Sequence, residues 1–563
     1  MAGVQDLGST GRGNDMQIGM YVEKGASPFE SSLCKVLEAD HSLLLAVMDS
    51  EMSGNVVDLC PVGALTSKPY AFQSRPWELK KTESVDVLDG VGSNIRIDSR
   101  GVQVMRIQPR VNDSLNEEWI NDKTRYAYDG LRFQRLTTPL VKRNGRFEPA
   151  GWADALEAIH YGLEKSGAQG NELVGVAGDL ADAESMVALK DFLNRLGSEN
   201  LTVDSPAGAK PPVHGVDFRA NYLFNSTIAG LDEADAVLLV GTDPRHEGAI
   251  INTRLRRTYL KTPVEFGLVG PKVDLTYEYE HLGEGAADVV KFLGAKDAGK
   301  SAFAKAFAGA KKPLIIVGSG VAEQANGAAV YEAVAKFVDA NKDRFLTPEW
   351  NGFSVLQRSA SRSAAFDIGF TPSSEASRAK SKFIYLLNAD EIDPKSIPKD
   401  AFVVYQGHHG DLGAQLADVC LPGSAYTEKA ATWVNTEGRT QMGRTAVPPP
   451  GAAREDWKIL RALSEVVHAP LPYEDAMQLR DRMWEISPTL CRYDTIEPAS
   501  AELAQVGFAS LAKQLKGSKA DAAEKLALPV KNFYQTDVVS RSSVTMAQVR
   551  RRDRDFAVNR SRR

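Results

Sequence analysis

The chain has 563 residues, 43% hydrophobic and 25% charged, with 67 basic against 73 acidic side chains and a net charge of −6. This is ordinary globular composition at a length that allows several domains, and the near-balance of charge excludes a general basic surface for nucleic acid. No apolar run approaches the about 18 residues that a membrane-spanning helix takes, so no direct membrane span is expected. The residues after Met1 carry neither a secretory nor a transit-peptide pattern. Either the protein stays where it is made or its authentic N-terminus lies upstream. The four cysteines, Cys34, Cys60, Cys420 and Cys491, form no C-x-x-C pair. That spacing excludes a disulfide scaffold, points to a reducing compartment, and falls short of four soft ligands at motif spacing.

In chain order, Gly8 to Asn14 is polar and glycine-rich and reads as a loop. It is no phosphate cradle, because no Gly-Lys-Ser/Thr follows. Residues 25–49 read as foreign to their surroundings. Residues 83–112 alternate apolar and polar, which predicts a hairpin in a small β-rich module with its turn at Ser99-Arg100-Gly101. From about residue 150 the pattern becomes strand–turn–helix. Leu173 to Ala177 predicts a strand ending at Gly178, followed by a helix with Met186, Leu189, Leu193 and Leu196 on one face, stopping at Gly197. Further strands are predicted at Ala236 to Val240, Val264 to Val269, Pro313 to Val317, Phe383 to Leu387 and Phe402 to Tyr405. Apolar on both sides, they fit parallel strands covered by helices on two faces, a doubly wound α/β fold. The tail from Arg541 carries eight Arg and two Asp, expected on the surface or against an acidic partner.

Few residues could carry chemistry. Cys60-Pro61 lies in Asp58-Leu59-Cys60-Pro61-Val62-Gly63-Ala64-Leu65. A cysteine followed by Pro ligates a cluster in two-cluster ferredoxins, with its other three ligands in a distant C-x-x-C-x-x-C run. On the octapeptide alone, the expected reading is a buried free thiol in a turn. Gly318-Ser319-Gly320-Val321-Ala322-Glu323 starts like a dinucleotide fingerprint but has Glu at the third Gly, so a helix-opening turn is expected. His408-His409 could be a metal or acid–base pair; with no Cys or further His nearby, a structural or interface role is expected. No nucleophile–base pair, phosphate loop or flavin motif stands out, so catalytic residues are expected to be none.

Several longer strings are more specific. They are Gly3-Val4-Gln5-Asp6-Leu7-Gly8 with Gly11-Arg12-Gly13-Asn14-Asp15, and Ser50-Glu51-Met52-Ser53-Gly54-Asn55 leading into Cys60-Pro61-Val62-Gly63-Ala64-Leu65-Thr66-Ser67-Lys68-Pro69. Arg75-Pro76-Trp77-Glu78, Asn116-Glu117-Glu118-Trp119-Ile120-Asn121-Asp122-Lys123-Thr124-Arg125 and Gly407-His408-His409-Gly410-Asp411 continue the series. Val434-Asn435-Thr436-Glu437-Gly438-Arg439-Thr440-Gln441 and Arg454-Glu455-Asp456-Trp457-Lys458 complete it. Together they resemble the large (75-kDa) iron–sulfur subunit family of respiratory complex I, in its mitochondrial branch.

The resemblance implies a subunit of NADH:ubiquinone oxidoreductase at the mitochondrial inner membrane, on the matrix side. Such a subunit passes electrons from NADH toward ubiquinone through iron–sulfur clusters, and its partners are other matrix-arm subunits, including the flavin-bearing NADH-oxidising one. The implied fold is α/β: molybdopterin-oxidoreductase-like doubly wound domains preceded by a small β-rich module and a remnant of a ferredoxin-like domain. The implied division is 1–78 for the 4Fe-4S ferredoxin-like remnant, 79–135 for a Mo/W bis-MGD-type module without cluster cysteines, 136–470 for the molybdopterin-oxidoreductase-like body, and 471–563 for a C-terminal region with the basic tail.

Three departures from the family qualify this. The N-terminal portion that bears most cluster cysteines, and any targeting segment, are not in this chain, so it is expected to be truncated. Cys60 is then the surviving ligand of a 4Fe-4S site whose partner ligands are missing, and the chain by itself is expected to bind no cluster stably and to be non-catalytic. Residues 25–49, with Cys34, interrupt the family pattern as an atypical insertion. The positions where some relatives carry a further cluster correspond to Asp86, Asp89, Ser93 and Asn121, oxygen and amide groups that suit such clusters poorly. Gly241-Thr242-Asp243-Pro244 falls where molybdopterin enzymes hold the pterin nucleotide, so a vestigial pocket is expected. No molybdenum is expected, because no cysteine lies between Cys60 and Cys420 and a Ser205 ligand is disfavoured. The alternatives are a molybdopterin-dependent oxidoreductase and a purely structural or assembly protein.

Overall fold

The computed structural model describes residues 4–10, 17–22, 50–206, 208–210, 212–294, 301–371, 380–497, 500–521 and 523–549. Residues 25–49, with Cys34, and the arginine-rich run from Arg550 lie outside them. β1 (Val4–Thr10) and β2 (Gln17–Val22) pair antiparallel, with Gly8 opposite Gly19. Gly8 to Thr10, expected in a loop, are strand instead, because ladder hydrogen bonds hold them extended where glycine content alone suggests a turn. Gly11 to Asn14 lie outside the described residues.

β3 (Lys80–Val85), β4 (Asn94–Arg100) and β5 (Gln103–Pro109) form an antiparallel meander. It contains the predicted hairpin plus one strand. The turn sits one residue later than expected, at Gly101-Val102, with Arg100 opposite Gln103. Gly101 takes φ 60 there, a conformation glycine adopts without steric cost.

The α/β body holds two sheets. β6 (Leu140–Arg143), β7 (Arg146–Pro149), β8 (Leu173–Ala177) and β9 (Leu201–Val203) begin the first. β10 (Ala236–Val240), β11 (Glu265–Val269), β12 (Glu280–Gly283), β13 (Pro313–Gly318) and β14 (Phe353–Leu356) make the second. β15 (Phe383–Leu387), β16 (Phe402–Gly407) and β17 (Val419–Pro422) return to the first, and β18 (Ala431–Val434) and β19 (Thr440–Gly443) close a separate hairpin. The orders are β7-β6-β17-β16-β15-β8-β9 and β12-β11-β10-β13-β14. The second sheet is parallel throughout, as is the first from β17 to β9. Residues 140–149 depart from the parallel expectation by forming an antiparallel hairpin on the sheet edge. Its turn, Asn144-Gly145 at φ 52 and 77, is the strongest short hairpin signal a sequence carries.

Both sheets are buried on two faces, which is why their strands read as unbroken apolar runs. In β15, Phe383, Tyr385 and Leu387 enter one core while Ile384 and Leu386 enter another. In β10, Ala236, Leu238 and Val240 face one core and Val237 and Leu239 the opposite one. The predicted helix spans Ala183–Arg195; the Asp182 carboxylate caps it by accepting from the Ser185 amide at 2.8 Å. It buries Met186, Leu189 and Leu193 as expected, with Leu196 half-buried where the helix stops before Gly197.

The residues after 470 thread through all of this. Leu479 and Met483 of the helix Ala476–Ile486 join the core of the first sheet. Ala504, Phe508 and Leu511 of Ala501–Gln514 join the second, and Val538 and Val539 of Val538–Ser542 pack with the meander. Arg541 does not start a free basic tail. It is tied to Glu391 at 2.5 Å and Asp411 at 2.8 Å, because a partly buried guanidinium needs carboxylate partners.

In each sheet the order in which strands are added reverses once, between β8 and β15 in the first and between β10 and β13 in the second, where open α/β sheets place ligands. At the first of these points the Asn388 carbonyl lies against Gly178 so closely that a Cβ on Gly178 would overlap it. Gly178→Ala is therefore expected to cost about 3 kcal/mol in denaturant unfolding, whereas Gly63→Ala, which meets nothing within 4 Å, should stay within about 0.5 kcal/mol.

Candidate functional site

Cys60 closes the short helix Asn55–Leu59 at its C-terminal end. That helix is held on residues 120–126 by polar contacts. Asn55 donates to the Ile120 carbonyl at 2.8 Å and accepts from the Ile120 amide at 3.2 Å and from Arg125 at 2.7 Å. Arg125 also pairs with Asp58 at 2.6 Å, and Asp122 accepts from the Gly54 amide at 2.7 Å and the Ser53 hydroxyl at 3.0 Å. The Cys60 thiol lies 3.1 Å from the Val62 carbonyl. Backbone hydrogen bonding at Val62, then Leu65 and Ala64, holds the thiol below its usual range, the setting that favours a thiolate. The buried-thiol alternative does not hold: Cys60 is partly exposed, between the exposed Leu59 and Val62 in sequence. A cleft of about 320 Å³ beside it is lined by Asp58, Leu65, Tyr70, Arg106 and Arg125 among others. Among the described residues no second thiol lies near, and no set of three or more His, Cys, Asp and Glu side chains could hold a metal ion.

Asp86, Asp89 and Ser93 lie in one short stretch of chain and Asn121 joins them from beyond the meander; each is at most 3% exposed. The Asp86 amide donates to the Ser93 carbonyl at 2.9 Å, and Asn121 donates to Asp89 at 2.9 Å while capping the helix Asp122–Tyr126. Burial, reinforced by the neighbouring Asp89, raises the Asp86 pKa to about 7.

The two strand-reversal points are filled from within. After β10, the Glu247 carboxylate accepts from the Thr242 hydroxyl at 3.0 Å and the Asp243 amide at 2.7 Å, and burial raises its pKa to about 8. At the turn Gly241-Thr242-Asp243-Pro244, where a vestigial pocket is expected, the chain's own carboxylate thus takes up the Thr242 hydroxyl and the Asp243 amide. At the other point, Arg362 pairs with Asp179 at 2.7 Å and Asp204 at 3.1 Å. Ser205 follows and is buried. Lys429, 4% exposed at its side chain, lies 2.5 Å from Asp182 and 2.6 Å from Asp456. Cys420 is enclosed in the apolar core, its thiol 3.5 Å from the Ala414 carbonyl, and burial pushes its pKa up to about 12. Gly318-Ser319-Gly320 opens the helix Ser319–Ala322, as expected of a turn. The buried His408 and His409 face each other through their Nδ1 atoms at 2.5 Å, and His409 Nε2 meets the Gly130 carbonyl at 2.9 Å. Burial lowers both pKa values, so the pair is a neutral bridge between body and module.

A further cluster escapes sequence reading. Arg245 pairs with Glu51 at 2.8 Å, and His246 sits between Asp243 at 2.7 Å and Glu51 at 3.3 Å, clamping the Cys60 segment to the second sheet. Burial works to lower the His246 pKa, but its bonds to Asp243 and Glu51 outweigh it and raise the value to about 9. No spacing signal announces this contact, because Glu51 and His246 are almost two hundred residues apart.

Comparisons with known proteins place these features. The molybdopterin oxidoreductase family profile matches residues 135–466. Residues 79–129 match the NADH-ubiquinone oxidoreductase NDSU1/NuoG-like 4Fe-4S domain, 495–549 a C-terminal family of NADH-ubiquinone oxidoreductase, and 41–66 the NADH-quinone oxidoreductase subunit 3 ferredoxin-like domain. The mitochondrial NADH-ubiquinone oxidoreductase 78 kDa subunit of Neurospora crassa is 57% identical over 549 residues, 97% of this chain and 70% of the relative. Its Candida albicans counterpart is 53% identical over 97% of this chain and 72% of the relative. The mitochondrial NADH dehydrogenase [ubiquinone] iron-sulfur protein 1 of Solanum tuberosum is 45% identical over 97% and 69%. Acetylene hydratase from Pelobacter acetylenicus shares the fold, with a TM-score of 0.52 at 15% identity over 78% of this chain and 79% of that one.

The His246 clamp has a pH signature. Raised above its ordinary 6.5, the folded-state pKa makes the imidazolium's contribution complete below about pH 6.5 and lost as pH rises through about 9. Thermal melts at pH 6.5 and 9.5 should show a drop for the wild type that His246→Gln reduces; equal drops in both would refute the clamp.

Proposed function

The chain belongs to the family of 75/78 kDa iron–sulfur subunits of NADH-ubiquinone oxidoreductase (complex I), and from that premise we propose that Cys60 is its thiolate ligand to a 4Fe-4S cluster while the rest of the described chain is scaffold. As a complex I subunit it takes part in electron transfer from NADH through iron–sulfur clusters, and its partners are other complex I subunits. The relatives are mitochondrial, and among the described residues no helix is long and apolar enough to cross a membrane. The finer reading places the chain in the matrix-side arm with the flavin-bearing subunit among its neighbours, and divides it at residues 78, 135 and 470. The exposed Leu59 and Val62, which flank Cys60 in sequence, support a neighbour over the Cys60 face.

The observation that carries the Cys60 reading is its thiol, partly exposed and held by backbone groups that favour the charged form. When bound, a 4Fe-4S cluster supplies one-electron redox chemistry and takes about four thiolates. The described residues offer one at this place, so they do not close a cluster alone. This chain's residues fix the sulfur's position through Asn55, Arg125 and Asp122 and lower the cost of its charge. That single thiol also favours the second reading, in which the chain acts purely as structure. A molybdopterin-dependent oxidoreductase does not fit: Glu247 already fills one crevice, Arg362 with its two aspartates fills the other, and Cys420 is sealed in a core.

In the isolated chain, Cys60→Ala should leave stability within about 0.5 kcal/mol and leave iron and acid-labile sulfide uptake unchanged. In assembled complex I, the same change should remove one cluster signal from electron paramagnetic resonance and slow NADH-to-ubiquinone turnover. An unchanged spectrum and rate would refute the ligand role, and a stoichiometric cluster on the isolated chain would refute the scaffold reading.

A further inference from the structure

Residues 79–129 match a 4Fe-4S family profile and yet contain no cysteine. Lacking thiolates, they cannot hold such a cluster. A module of this size normally needs something to staple its loops, and the structure shows what does so here. Lys123 is a lysine buried to 2% exposure. Its ammonium donates to the Leu88 carbonyl at 2.8 Å and to the Thr536 hydroxyl at 2.7 Å, and lies 5.3 Å from the centre of the Phe533 ring. Asp86 and Asp89 flank Leu88 in the same loop; neither forms a direct ion pair with the ammonium, whose positive charge offsets theirs through the dry interior.

Those two carboxylates are themselves anchored. Asp86 accepts from the Thr124 hydroxyl at 2.7 Å and the Leu88 amide at 3.3 Å. Asp89 accepts from the Val91 amide at 2.9 Å and from Asn121 at 2.9 Å. Thr536 continues outward by donating to Asp537, which caps the helix Val538–Ser542. One nitrogen therefore gathers three stretches of chain: the 86–93 loop, the start of the helix Asp122–Tyr126, and the segment from Phe533 to Asp537.

We propose that the Lys123 ammonium does in this module the cross-linking work that a metal centre would do, neutralising Asp86 and Asp89 and pinning the C-terminal segment onto the loop that carries them. The alternative is a lysine tolerated because its stem packs well, with its charge incidental. The two differ in what happens when the charge is removed and the stem kept. A buried pair of carboxylates left without its cation is strongly destabilising, whereas neutralising all members together is close to neutral.

The full-length chain carries the test. Lys123→Met should raise the unfolding equilibrium constant by about a hundredfold or more, and should speed amide exchange across residues 533–547 beyond its effect elsewhere. The triple variant Lys123→Met, Asp86→Asn, Asp89→Asn should recover at least tenfold of that loss, while exchange at 533–547 stays fast because Thr536 still lacks its donor. If Lys123→Met alone does not fold, a triple variant that does fold supports the proposal, and one that does not overturns it. The proposal is equally overturned if Lys123→Met leaves stability and exchange at wild-type levels, or if neutralising the aspartates recovers nothing.

Discussion

A charge taken out of water must meet its opposite or give up its ionisation, and that constraint shapes the interior of this protein more than any single apolar contact. Asp182 shows how it is met. One oxygen caps the helix Ala183–Arg195, and the other faces Lys429, which also reaches Asp456 on the helix Asp456–Val466. The same arrangement recurs with Arg362 between Asp179 and Asp204. Each joins segments that sequence keeps apart. Each also sits at or near a strand end, where the covering helices leave room for polar groups.

The two sheets provide the frame for these pairs. Because both faces of each sheet are buried, chemistry can reach solvent only along their edges and ends. The ends at the strand reversals are taken by Glu247 and by the Arg362 cluster. The body is thus left as a rigid platform, and the partly exposed Cys60 stands at its rim on a short helix that borrows its rigidity from Asp122, Asn55 and Arg125. The neutral His408–His409 bridge and the Glu51–His246 clamp fix that rim to the platform from two sides.

What the sequence makes legible follows from periodicity. Runs such as Ala236–Val240 and Phe383–Leu387 have no strong competing reading, and they are parallel strands as expected. The family strings likewise led directly to the complex I assignment that the relatives support. The edge hairpin at residues 140–149 was equally legible through Asn144-Gly145, but its strands are short and one is fully exposed, so no apolar alternation drew attention to them. Lys123, Lys429 and His246 were not legible at all. Charged residues read as surface by default, and only the fold brings carboxylates and carbonyls to them from hundreds of positions away. Arg541 misled for the same reason, since a basic run looks solvated until Glu391 and Asp411 are seen beside it.

The threading of the last stretch of chain has an outcome for biogenesis. Leu479 and Met483, then Phe508 and Leu511, then Val538 and Val539 complete three separate apolar cores begun by earlier segments. The cores close in chain order, the first at Leu490, the second at Leu526 and the third at Met546, so a nascent chain carries open hydrophobic seams until each closing segment arrives. A premature stop codon before Leu479 would leave all three unsealed, and one between Leu526 and Val538 only the third, in either case a natural substrate for proteolytic quality control.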